Sequence, residues 1–119
     1  MATELNAVLT LTYTKSGVSF AETVQAKTED LTDAGVASGI ILAATSAAAI
    51  PLGGVTTPGV ALFKNLDADN YLEIGYDDSG FVAIAKLLPG QAALIPLTGA
   101  PYVKSDTAAC LLQYRIFDR

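Results

Sequence analysis

Apolar and polar side chains alternate along most of this chain, and that period of two confines it to β-structure. A strand turns successive side chains to opposite faces, so alternation marks a sheet with one face buried. Leu5, Ala7, Leu9, Leu11 and Tyr13 share one face of a first strand, with Glu4, Asn6, Thr10 and Thr12 on the other. After the turn "TKSG" at 14–17, Val18, Phe20, Val24 and Ala26 mark a second strand, and the short turn predicts a hairpin. The clearest hairpin lies further on, where Leu72, Ile74 and Tyr76 alternate before "DDSG" and Val82 and Ile84 alternate after it. Ala108, Cys110, Leu112, Tyr114 and Ile116 line one face of a closing strand.

The intervening segments carry weaker signals. "KTEDLTDAG" at 27–35 reads as a loop. Residues 36–45 are rich in alanine, which favours helix, yet they show no cap and no 3.6-residue period; a strand is expected, with a short helix as the alternative. "AAIPLGG" predicts a brief edge segment, because Pro51 has no N–H to give a ladder. Residues 60–65 and 93–97 read as short strands, and "VTTPG", "NLDADN", "LPGQ" and "TGAP" read as turns. Seven or eight short strands, turning at roughly the 8–12-residue spacing of sandwiches and barrels, predict one all-β domain over residues 1–119. The expected architecture is an antiparallel β-sandwich, jelly-roll-like.

Composition narrows the functions open to such a fold. Only 16% of the 119 residues are charged and 51% are hydrophobic, whereas a soluble surface usually carries about a quarter to a third charged residues. Part of the exterior is therefore expected to face other protein. The net charge is −5 and the seven Lys and Arg residues are scattered, which argues against nucleic acid and against an anionic membrane surface. The opening residues lack the basic and apolar regions of a signal peptide, and the single cysteine cannot form an internal disulfide. The expectation is a chain folded in a reducing cytoplasm.

Little in the sequence points to catalysis. There is no histidine, and hence no usual general base at neutral pH. Cys110 shares its face with Leu112 and Tyr114 and is expected to be a buried structural thiol. The neighbours Lys15 and Ser16, and Lys104 and Ser105, could suggest Ser–Lys pairs, but adjacent strand residues face opposite ways. Asp67, Asp69, Glu73, Asp77 and Asp78 are five of the chain's twelve acids. "DADN" opens like a calcium loop, which makes Asp67 and Asp69 weak metal candidates. A calcium loop starting at Asp67 would, however, need Gly and Glu where Leu72 and Asp78 stand. Asp77 and Asp78 are expected at the far end of a strand about 17–20 Å long. Glu73 is the only mid-strand acid of the group, and no Trp is present to stack a sugar. The acids are expected to be turn tips, with no catalytic residue, no metal and no cofactor.

Three phrases carry a resemblance: "FKNLDADNYLEIGYD", the turn "LLPGQAALIPL", and the closing strand "DTAACLLQYRIF". With them, residues 56 to 118 resemble a family of small virion structural proteins of tailed bacteriophages, and the opening "MATEL" matches in style. Gln91 departs from that pattern, standing where an acid usually follows Pro-Gly. The resemblance implies a non-enzymatic β-sandwich of a virion, made in the host cytoplasm. The role expected first is a capsid-decorating or cement protein that binds the major capsid protein or other virion proteins. It would assemble with itself, a trimer being the expected number. The segment 1–14, with Leu5, Leu9, Leu11 and Tyr13, is the expected subunit contact, since a terminal strand is free to pair with a neighbour. The alternative is a tail, baseplate or fibre component acting as a receptor- or carbohydrate-binding module, with Tyr71, Tyr76, Phe81, Tyr102 and Tyr114 to supply stacking. A small enzyme is the third and weakest reading.

Overall fold

A computed structural model gives the backbone over residues 5–29 and 35–118 and the side chains over residues 8–19, 21–23 and 35–118. The chain divides into two compact units, Met1–Thr32 and Asp33–Arg119. The described residues form ten strands and no helix, with every pairing antiparallel. Seven or eight strands were expected.

The first unit is a hairpin of β1 (Leu5–Lys15) and β2 (Val18–Glu29). Ser16 and Gly17 form its two-residue turn with φ of 50° and 81°. Positive φ at both central residues is the turn geometry that matches the twist of paired strands. Pairing runs from Lys15↔Val18 outward, shifts register between Ala7 and Val8, and places Thr10 opposite Thr23, their hydroxyls 3.4 Å apart. β2 reaches Glu29, so residues 27–29 of the predicted loop are strand; of the remainder, Gly35 alone is described and it lies outside any strand.

The second unit holds eight strands: β3 (Val36–Ala43), β4 (Ala48–Ala49), β5 (Pro58–Asn65), β6 (Leu72–Asp77), β7 (Phe81–Leu87), β8 (Ala92–Pro96), β9 (Tyr102–Ser105) and β10 (Cys110–Asp118). They form two four-stranded sheets, ordered β3-β10-β5-β8 and β4-β9-β6-β7. The alanine-rich segment is strand rather than helix. Pairing with β10, unbroken from Val36↔Phe117 to Ala43↔Cys110, overrides its local propensity. β9 was not anticipated. It is four residues long and pairs with β4 and β6.

Residues of both sheets share one hydrophobic core, as in a β-sandwich. Burial alternates along β10, where Cys110, Leu112, Tyr114 and Ile116 point inward as the sequence predicts, while Ala108 lies before the strand and is exposed. Across the first sheet one inward row reads Gly39, Tyr114, Phe63, Ala93. Two large rings lie in the middle and small residues flank them, the alternation of sizes that close packing needs. A Cβ on Gly39 would come within 3.3 Å of the Tyr114 hydroxyl. The second sheet contributes Leu72, Ile74, Leu87 and Val103.

The β6–β7 hairpin carries a bulge, with pairing stepping from Ile74↔Ala85 to Gly75↔Ala83. Gly75 permits it: a Cβ there would overlap the Val82 carbonyl.

Candidate functional site

The acidic corner between β5 and β6 is built on a buried amide. Asn65, at the end of β5, is fully buried. Its Nδ2 donates to the Asn70 carbonyl at 2.9 Å and the Leu87 carbonyl at 3.0 Å, and its Oδ1 accepts the Asp67 N–H at 2.9 Å. The side chain thus stands in for a missing length of ladder and pins the turn to the end of β7. Its N–H and C=O are also used, bonding the Gln91 carbonyl and the Gly90 N–H of the next turn. Gln91, the departure from the phage pattern, accepts the Leu88 N–H through Oε1 at 2.9 Å. An acidic side chain could make the same bond, so the turn tolerates the change.

Asp67 and Asp69 sit on that corner. Asp67 Oδ2 accepts the N–H groups of Asp69 and Asn70 at 2.9 and 2.7 Å. The Asn70 amide, then the Asp69 amide, hold its carboxyl below the usual carboxylate range. An Asp that accepts amides of its own turn shapes the turn. Asp77 does the same at the β6–β7 tip, accepting the Gly80 N–H at 3.1 Å beside Ser79 in left-handed conformation (φ 64°). Asp67 and Asp77 lie at opposite ends of β6, as the hairpin reading expects. Among the described residues, no three His, Cys, Asp or Glu side chains gather where a metal ion could be held.

Glu73, the mid-strand acid, faces Lys86 on one side and Lys104 on the other in the strand register. A cation–anion–cation row across three strands is a cross-strand charge pattern of the kind that stabilises sheets. Lys86 also lies over the Tyr71 ring, its Nζ 4.0 Å from the centroid. The Tyr76 hydroxyl accepts the Thr98 N–H at 3.0 Å, and Tyr114 is buried. Three of the five aromatics considered for sugar stacking are therefore engaged within the fold.

Cys110 is fully buried, and its Sγ lies 3.4 Å from the Ala108 carbonyl oxygen. Burial, and then the charges of Asp67 and Asp106, push its thiol up from the ordinary value. That opposes formation of the reactive thiolate.

The expected subunit-contact residues lie on β1. Leu9, Leu11 and Tyr13 are 47%, 62% and 51% exposed, and Val8 and Val18 of the same hairpin are exposed with them. The side chain of Leu5 lies outside the described residues. No family model, curated protein or solved structure matches the chain.

Sequence reasoning missed two features of the second unit. Asn65 reads as one more polar residue entering a turn, and no spacing rule marks its amide as buried. The outward side chains of β3, Val36, Ile40 and Leu42, are exposed. The signal for them was present, because no residue between Asp33 and Lys64 carries a charge.

Proposed function

We propose that this chain is a non-enzymatic structural protein of a tailed-bacteriophage virion, a capsid-decorating or cement protein that binds the head as an oligomer, with a jelly-roll body. The observation that carries the reading is the β1–β2 hairpin. Among the described residues it is a sheet of two strands, and every side chain described in it is exposed, five large apolar ones included. A lone two-stranded hairpin is marginally stable in water. A second surface that covers Leu9, Leu11 and Tyr13 supplies what the hairpin lacks, at about 1 kcal/mol for each half-exposed apolar side chain buried. Neighbouring copies and the major capsid protein are the two surfaces this role provides, and three copies about a capsid symmetry axis is the assembly we favour.

The jelly-roll reading is supported by the strand order. From β3 to β10 the chain passes between the sheets so that each first-sheet strand lies beside a partner distant in sequence. The orders β3-β10-β5-β8 and β4-β9-β6-β7 are consistent with two nested Greek keys, an architecture used by viral capsid and lectin domains. Between those two uses, the engagement of Tyr71, Tyr76 and Tyr114 within the fold favours the structural one over a glycan-binding tail module.

The test is assembly. Deleting residues 1–14, or changing Leu11 and Tyr13 to Asp together, should reduce the sedimenting mass and abolish retention on phage heads stripped of this protein. Unchanged mass with undiminished retention would remove the reading.

A further inference from the structure

We propose that β3 is a second assembly surface, and that it pairs edge to edge, antiparallel, with β3 of another copy of this chain. The two sheets of the second unit end in four edge strands: β3 and β8 in one, β4 and β7 in the other. Exposed edges offer unpaired N–H and C=O groups, and proteins that stay apart blunt them with shortness, proline, bulges or charge. Three of these edges are blunted. β4 is two residues long, β8 ends in Pro96, and β7 carries both the bulge opposite Gly75 and Lys86. β3 has none of these devices. It runs for eight residues as "VASGIILA", without proline or charge, and its register with β10 is unbroken.

The side chains beside that edge are adhesive. Val36, Ile40 and Leu42 are 49%, 58% and 66% exposed, and Leu111 of β10, opposite Leu42, extends the apolar surface inward. Among the described residues, β3 pairs with β10 and with no other strand.

Charge selects the occupant. A chain of net charge −5 repels its own copies wherever its acids face each other. In a two-fold contact, residues near the axis meet themselves, so any charged residue there meets its like. The stretch from Ala34 to Phe63 contains no charge at all, which makes β3 a place where two copies approach without that penalty. The nearest charge in register is Arg115, opposite Ser38 on β10. In the paired sheet it would lie three strand spacings from its counterpart, about 14 Å, beyond the screening length of about 8 Å at physiological salt. A partner recognised through complementary charge would need charges on β3 to read. The contact adds a two-fold axis to whatever symmetry the hairpin provides, and it does not depend on the virion reading.

The experiment is sedimentation equilibrium on the full chain and on Ile40→Lys, with Val82→Lys, an equally open site on β7, as control. The wild-type chain should contain an even number of copies, six where the hairpin joins three and β3 pairs two such trimers. Ile40→Lys should halve that number with an unchanged circular dichroism spectrum, and Val82→Lys should leave it intact. Should Ile40→Lys fail to fold, a nitroxide on Ile40→Cys reads the same contact. In any register centred on the strand, the labels of paired copies lie within about 20 Å, and strong dipolar coupling is expected. A wild-type chain with an odd number of copies, a full mass in folded Ile40→Lys, or no coupling between the labels would overturn the proposal. A folded β3 pair that fails to bind phage heads would count against the proposed function alone.

Discussion

The Asn65 side-chain oxygen accepts the Asp67 N–H at 2.9 Å, so the acidic turn hangs from a buried amide at the end of β5. Replacing Asn65 with Ala removes that acceptor and the two bonds to the Asn70 and Leu87 carbonyls, leaving buried polar groups unpaired. A loss of about 2–4 kcal/mol in urea unfolding is expected. The same substitution at Asn70, which is only half-buried, should cost less.

Asp67 makes the fold sensitive to acid. Amide hydrogen bonds depress its folded carboxyl pKa below the ordinary 3.8. The depressed group contributes stability that is complete above the unfolded value and is lost as pH falls through the folded one. Asp67→Asn should flatten the dependence of melting temperature on pH below about 4 while leaving the value at pH 7 no higher than that of the wild type. Equal acid slopes in the two proteins would refute the assignment.

Gly75→Ala should be among the most damaging single-methyl changes in the chain. The new Cβ overlaps the Val82 carbonyl, a backbone group that moves only if the β6–β7 bulge is rearranged. A loss of about 2–4 kcal/mol by thermal or chemical unfolding is expected. Gly54→Ala, where a Cβ would meet no atom within 4 Å, is the matched control.

Ser105→Ala should be neutral or stabilising by up to about 1 kcal/mol. The Ser105 hydroxyl is buried with no hydrogen-bond partner among the described residues, so removing it leaves no group newly unpaired.

The sequence carried the parts of this fold that alternation encodes. The inward row of β10 and both hairpins are legible because period two is a local pattern, and it was the absence of a helical period that decided residues 36–45. β9 was not legible. "YVKS" follows Pro101 and carries a lysine, and it is a strand because β4 and β6 flank it, a tertiary fact. The bulge at Gly75 and the burial of Asn65 were hidden for the same reason, since each depends on what another segment brings within reach. The five acids were readable as turn and strand residues, and the hydrogen bonds of Asp67 and Asp77 give that reading its mechanism.

β3 and β10, the first and last strands of the second unit, lie side by side in its first sheet. The chain must therefore close a long loop before that sheet is complete, which slows folding. Unfolding from either end of the unit must part that same pair. Non-local closure of this kind is a property of the topology alone, and it holds whatever role the chain plays.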